Sequence, residues 1–127
     1  MKRCLVLAIV FIAFPTWAQC WKVENLRGYS AAASDHYKFV EDGFTGKKFY
    51  INITAKKADL ETSGTGSDLD YIPISATSMV GMYTIDTKQT IETWMVNGDK
   101  AFMTRVRQGF EGLDATMAFV GDVTGKC

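Results

Sequence analysis

Surplus charge, histidine, proline and long apolar runs are all scarce in this chain, and each scarcity excludes something. Fourteen Lys and Arg face fourteen Asp and Glu. Without a basic surplus, nucleic acid and anionic membrane surfaces are poor partners. The one long apolar run, Cys4 to Phe14, has eleven residues. As a helix it spans roughly 16 Å, about half of a bilayer core of roughly 30 Å, so stable membrane insertion is not expected. A single histidine, His36, and the lack of any CxxC pair leave zinc without a ligand set. Only two prolines occur, and no 20–50-residue repeat runs through the chain.

The apolar run follows Met1-Lys2-Arg3, breaks at Pro15, and is succeeded by Thr16-Trp17-Ala18. A basic start, an apolar middle and a small residue at the end make up a secretory signal peptide. Residues 1–18 are read as that signal, and residues 19–127 as one exported domain, periplasmic or secreted, of 109 residues. A lipoprotein signal would need a small residue before Cys20, where Gln19 stands. Loss of Lys2 and Arg3 takes the basic count from 14 to 12 and the net charge to −2. Cys20 and Cys127 are then the only cysteines, one at each end of the mature chain. An oxidising compartment predicts a disulfide between them.

The mature chain is β in pattern. Lys47 to Thr54 alternates, with Phe49, Ile51 and Ile53 on one face. Further strands are expected at Trp21–Leu26, His36–Val40, Ala58–Glu61 and Ala115–Val123, with a turn at Glu41-Asp42-Gly43. Thr62 to Asp70, rich in Gly, Ser and Asp, reads as the most flexible loop. Tyr71 to Ile85 is too long for one straight strand, and Pro73 and Gly81 suggest an edge position and a bend. Lys88–Val96 and Lys100–Phe110 flank Asn97-Gly98, the strongest short hairpin signal. About eight short strands predict an all-β fold, a small antiparallel up-and-down barrel or a two-sheet sandwich. A bond between first and last strands favours the barrel.

Chemistry is hard to find. Ser34, Asp35 and His36 are adjacent, and neighbours on a strand point to opposite faces. No Gly-x-Ser-x-Gly segment marks a nucleophile. Ser67-Asp68-Leu69-Asp70 lacks the glycine and distal glutamate of an EF-hand loop. Acid pairs such as Glu61, Asp68, Asp70 and Glu92 are unavoidable at this acid content. No catalytic residue, metal or cofactor is assigned, and a hydrolytic enzyme ranks last.

The hairpin is the more informative segment. A two-residue loop at Asn97-Gly98 sets Trp94 opposite Ala101 and Glu92 opposite Met103. One face then carries Glu92, Trp94, Val96, Ala101, Met103, Arg105 and Arg107; the other carries Ile91, Thr93, Met95, Phe102, Thr104, Val106 and Phe110. The second set reads as core. The first, with Trp94 and Met103 among Glu92, Arg105 and Arg107, reads as a candidate partner face. The expected function is a binding protein that docks on another protein, as an inhibitor or immunity protein does. The alternative is a lipocalin-like carrier of a small apolar ligand inside the barrel. The architecture is similar to that of small periplasmic β-barrel inhibitors of lysozyme. Their Ser-Gly-x-x-Tyr loop is not reproduced, because after Ser63-Gly64 the next tyrosine is Tyr71, so no site residue is carried over.

Overall fold

The structure, a computed structural model, describes residue 9 and residues 17–62, 65–66 and 69–127. The signal peptide expected over residues 1–18 lies outside the described residues except for Ile9, Trp17 and Ala18. So do residues 63, 64, 67 and 68 of the expected flexible loop.

Ten strands follow one another: β1 (Ala18–Ala32), β2 (Phe39–Gly43), β3 (Phe49–Thr54), β4 (Ala58–Thr62), β5 (Thr65–Gly66), β6 (Asp70–Ser75), β7 (Ser78–Ile85), β8 (Lys88–Asn97), β9 (Lys100–Gln108) and β10 (Ala115–Lys126). All pair antiparallel in one sheet of order β5-β4-β3-β1-β10-β9-β8-β7-β6, with β2 also on β1. Most sequence neighbours are therefore sheet neighbours, β2 and β3 both pair with β1, and β1 meets β10. This is an up-and-down barrel rather than a sandwich. It is nearly closed, since β4 and β6 lie in contact without a shared ladder.

Several boundaries differ from expectation for local reasons. β1 does not stop at Leu26. A bulge between Glu24 and Arg27, with Asn25 at φ 56°, lets it bend and continue to Ala32. His36 and Tyr37 take left-handed φ values of 55° and 60°. The turn falls there, and Phe39–Gly43 becomes the strand instead of His36–Val40. Tyr71 to Ile85 is a hairpin, not a bent strand. Its turn at Ala76-Thr77 is held by Ser75, whose hydroxyl meets that of Ser78 at 2.6 Å and accepts from the Thr77 N–H at 3.2 Å.

Inward residues of every major strand fill the barrel. Phe49, Ile51 and Ile53 of β3 are buried as the alternation requires, against Val23, Leu26, Leu60, Met79, Trp94, Met103 and Phe119. Phe44 enters from the β2–β3 connection, with ring centroids 5.5 Å from Phe49 and 5.6 Å from Phe119, both edge-on. Each such side chain contributes about 1.5–3 kcal/mol by burial.

Cys20 and Cys127 are joined, on the β1 and β10 side of the sheet, with Cα atoms 5.2 Å apart. The β1 bulge is pinned by Asp122 of β10. Its carboxylate accepts from Lys100 Nζ at 2.7 Å and from Asn25 Nδ2 at 3.0 Å, with the Arg27 guanidinium at 3.6 Å. The Lys100 bond, then the Asn25 bond, hold the carboxyl at about 2, below the ordinary 3.8. A depressed carboxylate stabilises the fold above its unfolded pKa, and that contribution is lost as pH falls from about 4 through about 2. An NMR titration of the Asp122 carboxyl should find its midpoint near pH 2. Lys100→Ala should move it back towards about 4. An ordinary midpoint in the unsubstituted protein would show that the cluster does not form.

Candidate functional site

The hairpin β8–β9 carries every residue singled out for partner binding, and the structure changes both its register and its orientation. The turn is Gly98-Asp99, with Gly98 at φ 62°, and Asn97 pairs with Lys100. Trp94 therefore opposes Met103 and Glu92 opposes Arg105, two residues on from the expected partners. An even shift keeps each residue on its face, so the division into two faces stands. Which face is core is reversed. Glu92, Trp94, Val96, Ala101 and Met103 are buried in the barrel. Ile91, Met95, Phe102 and Val106 are 43–56% exposed on the outside. Phe110, expected with the core set, lies beyond the end of β9 and is half-buried.

Glu92 explains how a carboxylate is tolerated inside. It is fully buried, and three donors converge on it. Tyr71 Oη donates to Oε1 at 2.7 Å, Trp94 Nε1 to the same oxygen at 2.6 Å, and Arg105 Nε to Oε2 at 2.6 Å. The Arg105 guanidinium also covers the Phe44 ring at 5.8 Å. Tyr71 reaches across because Gly81 stands between it and Glu92 in the sheet. A Cβ on Gly81 would sit 2.4 Å from the tyrosine ring. The Gly81 expected as a bend is instead the gap through which the hydrogen bond is made.

Arg107, two residues beyond Arg105, also points inward, opposite the buried Thr90. Its Nε is buried without a hydrogen-bond partner among the described residues. Burial first, and the charge of Arg105 second, lower its hold on its proton; the field of Asp114 opposes them. Asp114 itself accepts from the Phe110 N–H at 2.8 Å. These groups surround a cavity of about 660 Å³ at the end of the barrel marked by the β7–β8 turn and the β9–β10 loop. Its walls include Glu92, Arg105, Arg107, Thr90, Tyr83 and Phe110.

Of the expected partner face, then, Glu92, Arg105 and Arg107 gather in this cavity, while Trp94 and Met103 form core beneath it. None of the five lies on the outer surface of the sheet. That surface is apolar. Across it run the pairs Ile72–Val80, Met82–Ile91, Ile91–Val106, Met95–Phe102 and Phe102–Val120. No outward position of β7 or β8 is charged, and β9 has only Lys100 at its start. On the other side of the barrel the outward positions are polar, with Tyr50, Asn52 and Thr54 on β3 and Asp59 and Glu61 on β4. The alternation in β8 and β9 already separated these two surfaces; the sidedness was hidden because both sets contain large apolar residues.

No protein-family model matches the chain, and neither a curated protein nor a solved structure matches it.

Proposed function

We propose that this is an exported binding protein that docks on another protein, in the manner of an inhibitor or immunity protein, through the outer face of β6 to β9. The observation that carries this is the face, charged only at its margins by Asp70 and Lys100, on which Ile72, Ile74, Met82, Ile91, Met95, Phe102 and Val106 are all at least two-fifths exposed. Single exposed apolar residues are ordinary, but a contiguous set on one rigid sheet is what interface cores contain, with charge depleted and Met and Phe enriched. The one-sidedness supports a docking partner, since the outward positions of β4 are acidic. The interior supports docking over carriage of an apolar ligand, because Trp94, Met79, Met103 and Phe119 occupy the barrel's middle. The terminal disulfide is compatible with the oxidising compartment that export implies.

The test is capture of a partner from an envelope or medium extract by the mature, oxidised protein, followed by affinity measurement with the partner identified. Phe102→Asp should weaken binding at least about 30-fold, the effect of losing about 2 kcal/mol at a hot spot. Its melting temperature should stay close to that of the parent, as Phe102 is 43% exposed. Unchanged affinity in both Phe102→Asp and Ile91→Asp would overturn the assignment of this face.

A further inference from the structure

The cavity at the barrel end is separate from the outer face, and its charge is unbalanced. Glu92 is neutralised by Arg105, and its two oxygens receive three donors at 2.6–2.7 Å. That pair leaves Arg107 as the one charged group of the wall not neutralised from within the wall, with the Asp114 carboxylate acting on it only from outside the lining. The Arg107 Nε is buried and unpartnered among the described residues. Such a donor is costly unless something accepts from it. Asp114 does not supply the acceptor: its hydrogen bond is to the Phe110 N–H, and it acts on Arg107 through its charge alone. The rest of the wall is mixed: Thr90, Leu69, and the aromatic residues Tyr83 and Phe110. A volume of about 660 Å³ falls within the range of roughly 300–1,000 Å³ typical of small-molecule sites.

We propose that this cavity binds a small amphipathic monocarboxylate, its carboxylate on the Arg107 guanidinium and its apolar body against Phe110 and Tyr83. One negative charge meets the one guanidinium in the wall whose buried Nε lacks an acceptor. A planar carboxylate matches the guanidinium fork, which a lysine would not provide. A dianion would exceed the available charge beside Glu92. A wholly apolar ligand would leave the buried Nε unpaired.

Titration calorimetry on the mature, disulfide-bonded protein tests this, with octanoate as probe and 1-octanol, octylamine and acetate as comparisons. Octanoate should bind one to one. Octanol and acetate should each bind at least about tenfold more weakly, since each lacks one half of the recognition. Octylamine should not bind. Arg107→Gln should weaken octanoate at least about tenfold without lowering the melting temperature of the ligand-free protein, because the Nε has no partner to lose. Should Arg107→Gln fail to fold, Arg107→Lys keeps the charge and removes the fork, and the same loss of octanoate is expected from it. Equal binding of octanoate by the parent and the Arg107 variants, equal binding of octanol and octanoate, or no saturable octanoate binding at millimolar concentration would each overturn the proposal. A chain terminus bears the same carboxylate, so N-acetyl-Leu-Phe is the last arm. Binding of that peptide more tightly than octanoate would place the carboxylate on a protein end and overturn the small-molecule assignment.

Discussion

Trp94→Ala is expected to destabilise the domain by about 3–5 kcal/mol, the range for truncating a fully buried large aromatic. Trp94 has no exposed surface and is the largest side chain wholly inside the barrel. Its ring lies 5.5 Å from that of Phe49, so its removal opens a cavity between β8 and β3 that the ladders on either side keep from collapsing. A second loss adds to the first: Glu92 Oε1 would keep only the Tyr71 donor. Trp94→Phe separates the two, since it retains most of the volume and removes the N–H. It should be intermediate, at about 1–2 kcal/mol. Urea unfolding of the three proteins measures both. A cost below about 1 kcal/mol for Trp94→Ala would mean that the ring is not in the core. Because the substitution acts on the whole fold, lost binding in this variant would say nothing about a partner, and the outward-facing substitutions are needed for that.

Cys127→Ala is expected to lower stability by up to about 4–5 kcal/mol. The bond joins residues 107 apart in sequence, so in the unfolded chain it closes nearly the whole domain into one loop. In the folded protein it spans strands already joined, as Trp21 pairs with Lys126 and the Cys127 N–H donates to the Cys20 carbonyl at 3.3 Å. The native contacts therefore need little change when the sulfurs part, and the effect acts through the denatured ensemble. For a domain of this size the full loss corresponds to a fall in Tm of about 15–20 °C. Scanning calorimetry of the oxidised parent, the reduced parent and Cys127→Ala should place the last two together. Thiol labelling of the unreduced parent should find nothing to label. Coincident melting of oxidised and reduced protein would refute the expectation.

The repeat of two in Lys47 to Thr54 put Phe49, Ile51 and Ile53 on one face, which is the buried one, and the Asn97-Gly98 signal located the hairpin. The barrel followed from strand count and from the two terminal cysteines, and β1 does pair with β10. What failed was the orientation of β8 and β9. Alternation separates two sets of residues but does not say which set faces inward. Ile91, Met95, Phe102 and Val106 are the more apolar set, and a glutamate with two arginines looks costly to bury. The partners that make Glu92 tolerable come from Tyr71 on another strand and from the space left at Gly81, neither of which is visible within the hairpin. The turn at Ala76-Thr77 escaped for a different reason. It contains no Gly, Pro or Asn, and serine hydroxyls hold it instead.

The meeting of β1 with β10 also orders events in time. From β7 to β10 each strand pairs with the one made just before it, and such local hairpins form within about 1–10 μs. The ring itself cannot close until Ala115–Lys126 has emerged, because β10 is the partner of β1. Until then β1 and β9 both have unpaired edges, and the hydrophobic interior stays open to solvent. A chain interrupted before residue 115 thus lacks the strand that closes the ring, and closure waits on Ala115–Lys126.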